Sequence, residues 1–186
     1  MRIFEFPAVL ASLVLAAGCS NSGLGTPGIE NRVDTLIVGA LVGTPIDVPS
    51  AYGINPGFAG PLRTDQTSAF DFAYNILPDG RRVLLPRAAL GLSSSTAEPG
   101  LQASEDGFDD IDSAPLNGYL TLDTLDVAVG QRWIVRSRVV CTSIGVPLYG
   151  KIEILSFDDT DRRITFRALA NTNCGFRSLR PGVPED

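Results

Sequence analysis

The sequence predicts one all-β domain, an antiparallel, sandwich-like arrangement with long irregular loops, spanning residues 33–180. Three observations predict it. Apolar and polar residues alternate with a period of two from Phe70 to Ile76 and again through the last third of the chain, as half-buried strands require. Turn signals, Pro78-Asp79-Gly80 and Asp158-Asp159-Thr160-Asp161, separate these runs; proline presets φ and glycine takes the left-handed position. The length is that of a single domain able to bury a core of its own.

The elements follow in order. Val33 to Gly43 is a Val/Leu/Ile/Gly run bounded by Asp34 and Pro45 and reads as a buried strand. Proline, glycine and asparagine crowd Pro45 to Pro61, which reads as irregular. Phe70, Phe72, Tyr74 and Ile76 alternate with Asp71, Ala73 and Asn75, a strand with its aromatics inward. After the Pro78-Asp79-Gly80 turn, Val83 to Leu85 is its partner strand. Arg87 to Leu92 fits one helical turn, and Ser93 to Gly107 reads as loop. Three consecutive antiparallel strands follow. Trp133, Val135, Ser137, Val139 and Cys141 share one face of the first, with Arg132, Ile134, Arg136 and Arg138 on the other. Ile152 and Ile154 oppose Lys151 and Glu153 on the second. On the third, Ile164, Phe166 and Ala168 alternate with Thr165 and Arg167.

The ends read differently. Arg2, the Ala/Val/Leu run from Ala8 to Ala17 and the small residue Gly18 form the three parts of a secretory signal, residues 1–18,. The apolar run is short of the roughly 20 residues that span a bilayer. Leu15-Ala16-Ala17-Gly18-Cys19 resembles the lipobox of bacterial lipoproteins, which implies cleavage before Cys19 and lipidation of its thiol. Two or three acyl chains anchor firmly. Ser20 stands where an aspartate acts as an inner-membrane retention signal, so the resemblance implies an outer-membrane address. Residues 19–32 read as a flexible tether, rich in Gly, Ser, Asn and Pro, and residues 181–186 as a disordered tail,.

Composition excludes several chemistries. With a formal net charge of −6 the chain is a poor partner for nucleic acid,. It has no histidine, so Ser-His-Asp and Cys-His catalysis are unavailable,; Lys151, the one lysine, has no Ser-x-x-Lys around it, and no phosphate-cradling glycine motif occurs. The domain reads as non-enzymatic, with no catalytic residue assigned. Behind Cys19 only Cys141 and Cys174 remain. In an exported chain two such cysteines pair as a disulfide, the alternatives being free thiols or a two-cysteine metal site. First and third strands of a meander lie about 9.6 Å apart, so the segments beyond them must bend together for the bridge to form. Glu105, Asp106, Asp109, Asp110 and Asp112 offer hard oxygen ligands but lack EF-hand order, and read as a solvated loop, with no metal site assigned,. Arg132, Arg136, Arg138 and Arg167 form an outward arginine face that can grip an anion or pair with Glu153 across the ladder,.

Several motifs, in order, resemble the HmuY family of haem-binding outer-membrane lipoproteins. They are Phe70-Asp71-Phe72-Ala73-Tyr74, similar to that family's W-D-I-A-F signature; Phe108 to Pro115 with Gly118-Tyr119; and Tyr149 to Phe157 followed by Ile164-Thr165-Phe166. The resemblance implies a HmuY-like all-β fold and a haem-type ligand. The family's histidine and methionine iron ligands are missing, however: Met1 is the one methionine and belongs to the signal. Iron ligation would fall to Tyr52, Tyr74, Tyr119 or Tyr149, and no cofactor is assigned. Two readings result. In the first, a small or apolar ligand, or a partner protein, binds a lipid-anchored β domain, the ligand in a cavity lined by Phe70, Phe72, Tyr74 and Trp133. In the second, a structural or interaction lipoprotein docks another envelope component and has no small-molecule site. A filled core at those four side chains favours the second.

Overall fold

The computed structural model describes residues 26–93 and 97–185. The alternating runs fold as strands, ten in all among these residues, in two antiparallel five-stranded sheets packed as an unclosed sandwich. Sheet one runs β1 (Val33–Gly39), β10 (Arg163–Asn171), β9 (Val146–Asp158), β8 (Arg132–Cys141) and β6 (Gly100–Ser104). Sheet two runs β3 (Phe58–Leu62), β2 (Ala51–Asn55), β4 (Phe72–Ile76), β5 (Arg82–Pro86) and β7 (Leu125–Asp126).

The last third follows its pattern. The β8–β9–β10 meander sets Trp133 opposite Ile152 and Phe166 opposite Ile154. Asp158 caps the hairpin turn by accepting the amides of Thr160 and Asp161, each at 3.0 Å. At the other hairpin Gly80 takes φ +87°, the left-handed conformation that makes glycine favourable there,. The helical turn expected from Arg87 forms at Arg87–Leu90, of 3-10 type, and a second such turn lies at Phe108–Asp110.

Three expectations need correction. The run expected as a buried strand to Gly43 ends at Gly39 and is an edge strand paired only with β10, so Val33 and Ile37 are 44% and 52% exposed. The stretch from Pro45 to Pro61 holds the β2–β3 hairpin. Its prolines hid it: Pro61 is accommodated because β3 is a sheet edge, where a missing N–H disrupts no inner ladder. The loop expected from Ser93 to Gly107 contains β6, which pairs with β8 along its full length.

The core lies between the sheets. Phe72 and Tyr52 approach with ring centroids 5.3 Å apart, Phe166 meets Tyr52 edge-on at 5.8 Å, and Tyr74 stacks on Phe157 at 6.3 Å. Each fully buried aliphatic or aromatic side chain contributes about 1.5–3 kcal/mol of transfer free energy. Gly150 of β9 permits the close approach of sheet two: a Cβ there would meet the Leu169 carbonyl oxygen at 2.9 Å and Ile54 Cδ1 at 3.0 Å. A second cluster covers the outer face of sheet one, where Phe108, Ile111, Ala114 and Leu179 pack on Ile134, Tyr149 and Leu169.

Residues 28–31 of the expected tether and Gly182 of the expected tail both touch the domain. Asn173 Oδ1 accepts the amides of Gly28 and Ile29, and Asn31 exchanges two backbone hydrogen bonds with Gly182. Cys19 and the signal lie outside the described residues.

Candidate functional site

The four proposed lining residues do not share a cavity wall. Phe72 and Tyr74 are fully buried in the inter-sheet cluster with Tyr52 and Phe166. Phe70 leaves that face: the regular pleat of β4 begins only at Phe72, and Phe70 packs with Ala51 and Ala73 on the other side of sheet two. Trp133, 6% exposed, belongs to the core cluster and borders a groove of about 340 Å³ with Ala103, Asp126 and Val129, where the β6 and β7 edges part. The rings fill the space that a ligand inside the sandwich would need.

Iron ligation by a tyrosine calls for a phenolate, and burial works against that form here. Burial pushes the Tyr74 phenol up to about 12 and raises those of Tyr52, Tyr119 and Tyr149 as well. The Tyr74 hydroxyl is enclosed without a hydrogen-bond partner among the described residues, and that of Tyr119 donates to the Pro115 carbonyl at 2.8 Å.

Cys141 and Cys174 are joined as a disulfide with Cα atoms 5.7 Å apart. Cys141 ends β8 and Cys174 lies three residues beyond β10, so the flanking segments do converge past the meander. The bridge closes one end of sheet one.

The polar group that ties the two sheets together is Asp71, which the alternation marked as a solvent-side residue. It sits one residue before β4, is 1% exposed, and joins both sheets. Its oxygens accept the Ile54 amide at 2.7 Å, the Arg138 amide at 2.9 Å and Arg138 Nη1 at 3.0 Å, while Arg138 Nη2 donates to Asn55 Oδ1 at 3.0 Å. Burial pushes the Asp71 carboxyl up to about 6, against the pull of Arg138 and the two backbone amides. Arg138 is therefore not part of an outward arginine face. A register shift between Arg136 and Val139 breaks the alternation of β8 and turns its guanidinium toward Asp71.

The other arginines of that face are engaged. Arg132 donates to the Gly130 and Glu105 carbonyls and Arg136 to that of Glu98. Arg167 pairs with Glu153 at 2.5 Å and lies 4.1 Å from the Phe108 ring centroid. Lys151 faces away from the sandwich as expected, yet is 1% exposed, because the Phe108–Ala114 segment covers it; Nζ donates to the Phe108 and Ile111 carbonyls at 2.6 and 2.9 Å. Of the acidic stretch, Asp112 pairs with Arg180 and Asp109 lies 3.6 Å from Arg167. Among the described residues no group of three or more acids and cysteines converges as metal ligands.

One opening was missed entirely, because it depends on two sheet edges far apart in sequence. Between β1 and β3 a groove of about 160 Å³ leads down to Tyr52, with Asp34, Leu36, Phe58 and Ala59 along it. Comparison with known proteins gives the chain no relatives: no protein-family model, curated protein or solved structure matches it.

Proposed function

We propose that this chain is a lipid-anchored bacterial envelope protein, acylated at Cys19 and addressed to the outer membrane, whose non-enzymatic β domain docks another envelope component. What carries the reading is the filled interior. Phe72, Tyr74, Tyr52 and Phe166 occupy the inter-sheet space ring against ring, leaving the surface as the functional part. Two further observations support it: Arg132, Arg136 and Arg167 are already engaged with groups of the chain itself, and the disulfide suits an oxidising compartment,. The motifs that resemble the HmuY family agree with a sandwich on a lipid anchor, while the missing histidine and methionine ligands and the raised tyrosine phenols weigh against its haem chemistry,.

The test is membrane fractionation of Cys19→Ser against wild type, with a palmitate label. The variant is expected in the soluble fraction and unlabelled. Unaltered membrane association would remove the anchor from the proposal. Haemin titrated into the purified protein is expected to give no Soret shift, and a saturable shift would restore the haem-ligand reading.

A further inference from the structure

The sandwich is open where β1 and β3, edge strands of opposite sheets, lie side by side. Val38 is buried against the core, so the period of two puts Leu36 and Asp34 on the same inward face of β1,. Asp34 thus stands opposite Ala168 at the mouth of the groove, a carboxylate on an otherwise apolar face. Its carboxylate, exposed at that mouth, makes no side-chain hydrogen bond or ion pair among the described residues. Its charged neighbours Glu30 and Arg32 pair with each other at 3.0 Å and cancel, so the groove keeps the single negative charge of Asp34. At the floor is Tyr52, 1% exposed, whose hydroxyl has no hydrogen-bond partner among the described residues. Leu36, Ala59, Ala168 and Ala170 give the walls methyl and methylene surface, and the half-exposed Phe58 ring forms the rim.

An unpaired carboxylate, an unpaired phenol oxygen and a short apolar channel complement one chemistry. A primary ammonium carries three donors on a narrow aliphatic stem; a carboxylate ligand would be repelled by Asp34, and a quaternary ammonium has no proton to give Tyr52. We propose that this groove receives the alkylammonium side chain of a lysine on a partner protein, held by the Asp34 carboxylate and the Tyr52 hydroxyl oxygen, with its methylenes along Ala168, Ala170 and Phe58. The ammonium must come from another molecule, because the chain's one lysine, Lys151, is itself buried. The proposal rests on the docking reading for its partner, but the groove's chemistry is tested without it.

The experiment is an amide-shift NMR titration of the full-length protein in detergent micelles with four probes: Nα-acetyl-lysine amide, n-butylammonium, tetramethylammonium and butyrate. The lysine derivative is expected to shift the Ala59, Ala168 and Ala170 amides saturably at millimolar concentration, with tetramethylammonium and butyrate inactive. Asp34→Asn is expected to weaken binding about tenfold and Tyr52→Phe a few-fold, a charge-assisted hydrogen bond weighing more than a neutral one. Both variants keep their fold, since neither removed group is bonded. No saturable shift, or equal binding by Asp34→Asn, would overturn the site and leave Asp34 as a charge that guards a sheet edge from pairing. Binding of n-butylammonium without the lysine derivative would overturn the protein partner in favour of a free amine. None of these outcomes depends on whether Cys19 is acylated.

Discussion

Replacing Asp71 by alanine removes the acceptor on which three donors from two sheets converge. The Ile54 and Arg138 amides lose their partner in a site only 1% exposed, and the Arg138 guanidinium, with its side chain 15% exposed, keeps just its bond to Asn55. Each orphaned buried donor costs about 1–3 kcal/mol, and removing one member of a buried ion pair about 3–5 kcal/mol. These overlap, because the same desolvated donors enter both figures, so the expected loss is about 4 kcal/mol, a large part of the roughly 5–15 kcal/mol that holds a domain folded. Urea unfolding followed by Trp133 fluorescence measures it well, since this one tryptophan is buried in the core cluster. Adding Arg138→Leu to Asp71→Ala removes the stranded charge, so the double variant is expected to lose less than the two single losses added together. A loss below about 1 kcal/mol for Asp71→Ala would refute the view that this carboxylate ties the sheets together.

The same group sets a pH dependence. Its folded value of about 6 lies above the roughly 3.9 of an unfolded aspartate, so its contribution is fully present below the unfolded value and is lost as pH rises through about 6,. The stability difference between wild type and Asp71→Asn is expected to be larger at pH 5 than at pH 7.5, and the opposite trend in urea midpoints would reverse the sign. Lys151→Met strands the Phe108 and Ile111 carbonyls; it is expected to cost about 2–4 kcal/mol and to open the segment over sheet one, seen as new proteolytic cuts near Phe108–Ala114,. Unchanged cleavage would mean that apolar packing alone holds that segment. Removing the disulfide with Cys141→Ala and Cys174→Ala is expected to cost about 3–4 kcal/mol by the chain-entropy account, read as a lowered urea midpoint,.

Much of the fold was legible where one strand buries one face. Trp133 to Val135, Ile152 to Ile154 and Ile164 to Ala168 alternate because each strand of the meander has a neighbour on either side and a core beneath it. The pattern failed at the margins. β1 reads as buried from its apolar run, yet it is an edge; β3 reads as irregular because Pro61 is tolerated there; β6 is too polar to register. The proposed lining residues were correctly marked as apolar and inward, apart from Phe70. An inward aromatic in a strand has the same pattern whether it lines a cavity or fills one, and only the neighbouring sheet decides which.

By itself the sequence determined the class of fold, the meander, the two cysteines able to pair and the absence of histidine chemistry. These are properties of short windows or of composition, where periodicity and residue type act locally. Tertiary structure decided that the core is filled, that Asp71 is a buried junction rather than a solvent-side residue, and that Asp34 and Tyr52 line one groove at an open edge. Each of these depends on which strands become neighbours across the sandwich, and that pairing is selected by the packing of the whole core, not by any stretch of chain that carries the residues.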